Sequence, residues 1–149
     1  MGIQISALFV RRSSLIQATP ERVWQEFTDF ERLAAWFGQG QQLEAYEPEV
    51  GGSALLSVEI DGVKRPFGGP ILIFEPGREL TFSNNWRTDG WLVPTLITIR
   101  LTPLFDGCHV ELFHHGFERL GAEAGAVLEG YESGWHSNHL ETLKAIVER

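Results

Sequence analysis

From Gln41 to His115 the chain is a succession of short segments in which apolar and polar residues alternate. The segments are broken by the turn signals Glu49-Val50-Gly51-Gly52, Asp61-Gly62, Glu75-Pro76-Gly77, Asp89-Gly90 and Asp106-Gly107. Leu56, Val58 and Ile60 alternate with Leu55, Ser57 and Glu59, and Leu80, Phe82, Asn84 and Trp86 with Thr81, Ser83 and Asn85. Ile97, Ile99 and Leu101 alternate in the same way with Thr98, Arg100 and Thr102. Connections this short join antiparallel neighbours. Parallel strands would need crossovers of roughly a dozen residues or more, for which there is no room. One face of the resulting sheet is apolar and must be covered. The cover is expected from Ala122 to Val147, a proline-free segment that sets Leu128, Tyr131, Trp135, His139, Leu143 and Ile146 along one helical stripe. Gly130 and Gly134 interrupt it, each at ~1 kcal/mol relative to alanine, and predict close packing or a local irregularity.

Ahead of the meander, residues 5 to 18 read as a strand. Thr19 is placed to cap a short helix with Pro20 at its first position and Val23, Trp24 and Phe27 on its apolar face. Thr28-Asp29 caps a second short helix carrying Leu33, Trp36 and Phe37, which Gly38 and Gly40 end. The expected fold is α+β: a curved antiparallel sheet of about six strands around one long C-terminal helix that begins near Gly121 to Ala124. At 149 residues it is expected to form a single domain over positions 1–149.

Twenty acidic against 12 basic side chains leave a net charge of −8. Such a chain lacks the basic excess that drives nucleic-acid binding, and an anionic membrane surface is an equally poor partner. No apolar run approaches the ~20 residues of a spanning helix. Arg11 and Arg12 follow the apolar stretch Ile3 to Val10, whereas a secretory signal puts its charge first. The single cysteine, Cys108, cannot close an internal disulfide. A cytoplasmic location is expected.

Five tryptophans and 10 phenylalanines are a heavy aromatic load. Trp36, Phe37, Phe74, Phe82, Trp86, Trp91, Tyr131 and Trp135 either fill the core or line a pocket, with Val58, Ile97 and Ile99 as further apolar wall. If Val110 and Leu112 face inward, so does His114, and His115 faces out. His139, on the helical stripe, is either a hydrogen-bonded core residue or a polar anchor. Asn84, His114, Tyr131 and His139 are the uncharged anchor candidates. His136 and His139 stand three apart, but neither a His-Glu-x-x-His motif nor a cysteine pair accompanies them, so no metal is expected. No cofactor is expected either. Cys108 reads as a small inward-facing hydrophobe, and no Gly-x-Ser-x-Gly elbow or phosphate-cradling loop is present. Gly51-Gly52 and Gly68-Gly69 read as turns and a strand bend. Glu21, Glu26, Glu31, Glu141 and Glu148 fall on outer helical faces, where solvation is the default.

Several of these segments, in their order and spacing, resemble a known family. They are Ala18-Thr19-Pro20-Glu21-Arg22-Val23-Trp24, Thr28-Asp29, Trp36-Phe37, Pro48-Glu49-Val50-Gly51-Gly52, Phe74-Glu75-Pro76 with Leu80-Thr81-Phe82, Thr98 to Pro103, Asp106-Gly107, His114 with Gly116-Phe117, and Gly134-Trp135. Together they resemble the activator-of-Hsp90-ATPase-homologue (AHSA1-like) branch of the START-like, or SRPBCC, superfamily. The distance from Trp135 to Leu140 and Leu143 is one residue longer than the family habit. The resemblance implies a helix-grip fold with a cavity between sheet and long helix, lined by the aromatic and anchor residues above. It implies three functions: binding of an apolar or aromatic small molecule without chemistry, polyketide cyclase- or hydratase-like catalysis in the same cavity, or activation of an Hsp90-type ATPase through protein contacts. Binding without chemistry is the favoured expectation, by a monomer or a homodimer, with a chaperone or other protein as the further partner class.

Overall fold

The computed structural model describes residues 8–38, 40–86, 93–135 and 138–149. Strand β1 (Val10–Ile16) leads into helix α1 (Pro20–Trp24), a 3-10 turn (Gln25–Phe27) and helix α2 (Phe30–Phe37). Thr19 and Asp29 cap the two helices as expected, their side chains accepting from the backbone N–H of Arg22 and Arg32. Six further strands follow: β2 (Gln42–Tyr46), β3 (Ser53–Ile60), β4 (Val63–Glu75), β5 (Glu79–Asn84), β6 (Thr95–Leu104) and β7 (Gly107–His115). A 3-10 segment (Phe117–Glu123) then leads to α3 (Ala124–Gly134) and α4 (Asn138–Val147).

All pairings are antiparallel, in the order β1-β7-β6-β5-β4-β3-β2. The sheet has seven strands where about six were expected. They are the first strand and the six segments that the five turn signals separate, and the last of them in sheet order is the short edge strand β2, whose register shifts between Leu43 and Ala45. The 13-residue β4 serves two neighbours, pairing with β3 up to Pro70 and with β5 from Ile71. Gly68, at φ 115°, makes the bend between them: a Cβ there would collide with the Ala54 carbonyl oxygen. The glycine pair is the strand bend that the sequence suggested.

The inner face is the apolar one. Leu80, Phe82, Ile97, Ile99, Leu101, Val110 and Leu112 are buried, together with Val23, Phe27, Leu33, Trp36 and Phe37 from the first two helices. The C-terminal stripe keeps its face, with Trp135, His139 and Leu143 buried and Leu128, Tyr131 and Ile146 half-buried. It is not one unbroken helix, however. The Trp135 N–H still bonds the Tyr131 carbonyl at 2.8 Å, whereas the Trp135 carbonyl accepts from Arg12 Nε at 2.9 Å. This irregularity follows Gly134, one of the two glycines at which close packing or an irregularity was expected. The open edge of β1 is covered by α4: Lys144 Nζ donates to the Leu15 carbonyl at 2.5 Å and the Gln17 N–H to Glu148 at 2.8 Å. Among the described residues no helix is long and apolar enough to cross a membrane.

Glu26 departs from its expected solvated position. The backbone tightens to 3-10 geometry at Gln25–Phe27, and the side chain lies 7% exposed against Arg22 at 3.0 Å.

Candidate functional site

At the end of the sheet where β5 stops and β6 begins, the inner face turns polar. Asn84 is the last residue of β5, Thr95 the first of β6, and His114 the last inward-facing position of β7; all three are 0% exposed. The register sets Asn84 opposite Thr95 and Ile97 opposite His114. Three neighbouring strands thus bring one polar side chain each to the same place.

The directions of the hydrogen bonds follow from the groups that can only donate. Trp135 Nε1 donates to His114 Nδ1 at 2.8 Å, which leaves the ring proton on Nε2. Nε2 lies 2.7 Å from Thr95 Oγ1 and donates to it, and the Thr95 hydroxyl passes its own proton to the Asn84 main-chain carbonyl at 3.3 Å. The Asn84 amide nitrogen donates to the Tyr131 hydroxyl at 3.0 Å and, more weakly, to Thr95 Oγ1 at 3.4 Å. Trp86 Nε1 also donates to the Tyr131 hydroxyl. Phe117 and Tyr131 pack on the imidazole with ring centroids 4.6 and 4.4 Å away, and Phe67 stacks on Trp86 at 4.4 Å. Burial, reinforced by neighbouring His115, pulls the His114 pKa down to about 3, so the ring is neutral at pH 7.

The expected site residues fall into groups. Asn84, Trp86, His114, Tyr131 and Trp135 are joined in this one network. Phe37, Phe82 and His139 continue it as a buried aromatic cluster: the ring centroids of Trp135 lie 5.7 Å from Phe37 and 4.9 Å from His139, and those of Phe37 and Phe82 lie 6.2 Å apart. Ile97 and Ile99 are fully buried on β6, opposite Phe82 and Leu80 of β5. Trp36 and Phe74 belong to the opposite end of the core: Trp36 packs on Phe27 at 5.2 Å and Phe74 edge-on against Trp24 at 5.3 Å. Trp36 still reaches the central cluster through Phe37 at 5.4 Å. Val58 is half-buried on β3, with β4 between it and β5. Trp91 and His136 lie outside the described residues. His115 faces outward, bonded to Thr98 at 3.2 Å, as the alternation required.

Thr95, Phe67 and Phe117 were missed. Thr95 was within reach of the same rule, since it shares the two-residue phase of Ile97, Ile99 and Leu101. Cys108 is fully buried and burial raises its thiol pKa, the opposite of an activated nucleophile. Among the described residues no three His, Cys, Asp or Glu side chains gather as metal ligands do.

A surface depression of about 640 Å³ lies elsewhere, between α2 and α4, with Glu31, Arg32, Glu141, Thr142 and Arg149 on its walls. Its charged lining contrasts with the neutral network under Trp86 and Tyr131. Those two side chains are half-buried.

Comparison with known proteins agrees with this architecture. A protein from Chromobacterium violaceum is 27% identical, with a TM-score of 0.68 over 95% of this chain and 98% of its own. The Aha1 dimer from Colwellia psychrerythraea shares the fold at 17% identity and a TM-score of 0.68, over 94% of this chain and 96% of its own. DynU16, a protein in the dynemicin biosynthetic locus, does so at 23% identity and a TM-score of 0.66, over 96% of this chain and 48% of its own. No curated protein matches the sequence. The family model described as activator of Hsp90 ATPase homolog 1-like protein matches residues 17–148, nearly the whole chain, and the protein belongs to that START-like family.

Proposed function

We propose that this chain is a cytoplasmic binding domain that holds an apolar or aromatic small molecule between the inner face of the sheet and α3, and performs no chemistry on it. The observation that carries the reading is the network of neutral polar groups, Asn84, Thr95, His114 and Tyr131, set among aromatic rings at the end of the core where Trp86 and Tyr131 are half-exposed. Mostly apolar walls with a few fixed polar groups are the usual make-up of a small-molecule site. Catalysis is disfavoured by the same geometry. A general acid or base works best with a pKa near the working pH, whereas His114 sits at about 3 with both ring nitrogens engaged.

The test is an NMR titration of the intact protein with naphthalene, following the backbone amide signals and the indole N–H signals of the tryptophans. Trp86 is expected to shift first and most, with Trp135 responding through His114, while Trp24 at the other end of the core stays in place. Shifts confined to residues of the α2–α4 depression, or none at all, would overturn the reading.

A further inference from the structure

We infer that the ligand is neutral and presents a hydrogen-bond donor, a hydroxyl or an N–H, to Asn84 Oδ1; this rests on the binding reading above and adds the chemical class of the molecule. Among the polar groups of the network, one acceptor is left without a donor. Asn84 is completely buried, and its amide nitrogen is committed to Tyr131 and Thr95. The protons of His114 Nε2, Thr95 Oγ1 and the Trp86 and Trp135 indoles are likewise directed to acceptors inside the network. Asn84 Oδ1 is buried and accepts no hydrogen bond. A buried carbonyl oxygen without a donor is costly, because folding removes its water and nothing replaces it. Its surroundings specify what would satisfy it. Asn84, Thr95 and His114 bond only neutral groups, so a carboxylate placed here would be desolvated without a cation to compensate it. An ether or carbonyl oxygen would set lone pair against lone pair. An aromatic molecule with a hydroxyl or ring N–H meets both the apolar walls and the open acceptor.

Isothermal titration calorimetry on the full chain with naphthalene, 2-naphthol, 2-methoxynaphthalene and 2-naphthoate decides the point. The expected order places 2-naphthol about tenfold tighter than naphthalene and 2-methoxynaphthalene, the worth of roughly one well-made hydrogen bond, with 2-naphthoate the weakest. The preference for 2-naphthol over naphthalene should shrink to about twofold or less in Asn84→Leu. If that variant does not fold, the wild-type order still decides. Equal affinity of 2-naphthol and 2-methoxynaphthalene, a preference for the ether, or a preference for the carboxylate would overturn the inference and leave the binding reading standing. Failure of all four to bind would overturn the binding reading, and the inference with it.

Discussion

As pH falls from 6.5 toward 4.5, the unfolding free energy of the wild-type protein drops by roughly 1.4 kcal/mol per unit from His114 alone, and His114→Gln removes that slope. The sign follows from the burial of the ring. In the unfolded chain the imidazole takes up a proton near its ordinary value of 6.5, whereas in the folded protein it stays neutral down to about 3. Between those values the unfolded state binds more protons, so the contribution of His114 is complete above pH 6.5 and is lost as the solution is acidified. His115, which burial also lowers, acts in the same direction but is only partly enclosed. His115→Gln therefore serves as the comparison and should keep most of the slope. Glu44, held low by Lys64 and Ser57, and Glu148, held low by the Gln17 N–H and Lys144, lose their contributions only below the ordinary carboxylate value of 4.5. Their titration lies under the histidine window. Glutamine at 114 keeps a donor and an acceptor on a side chain of similar reach, so the variant is expected to fold. Urea melts of the three proteins across this range give the answer, and identical slopes for wild type and His114→Gln would show that the ring is not buried neutral.

Trp135→Ala should lower stability by ~3–5 kcal/mol, the range for truncating a large buried aromatic. The side chain is 3% exposed and joins the two halves of the core, touching Phe37 and His139 on one side and His114 on the other. Truncation leaves a cavity between them and also strips the donor from a buried His114 Nδ1, which adds the cost of an unmet acceptor. Trp135→Phe separates the two effects, because it keeps most of the volume and loses only the N–H. An unchanged denaturation midpoint in Trp135→Ala would mean that the indole is not packed against His114 and Phe37.

The inward placement of His114 and Asn84 was legible because a β-strand has a period of two, and Val110, Leu112, Leu80 and Phe82 fix the phase. Periodicity says which face a residue takes but not how far along the sheet it lies. Phe74 and Trp86 therefore looked equivalent, although one meets Trp24 and the other Tyr131. Phe67 was hidden by the Gly68 bend that follows it, which interrupts the alternation along β4. Glu26 was misplaced because helical spacing assumes 3.6 residues per turn, and the 3-10 tightening rotates it inward. The break after Gly134 had a local signal in the glycine. Its other determinant is the bond from Arg12 to the Trp135 carbonyl, made across 123 positions of sequence, which no local pattern carries.

Native mass spectrometry of the protein purified from its own source, before and after addition of 2-naphthol, tests the central claim most directly. The account predicts a non-covalent adduct of small-molecule mass on the untreated protein that is released on denaturation, and its exchange for one molecule of 2-naphthol. The bare mass of the 149-residue chain in both samples would contradict it.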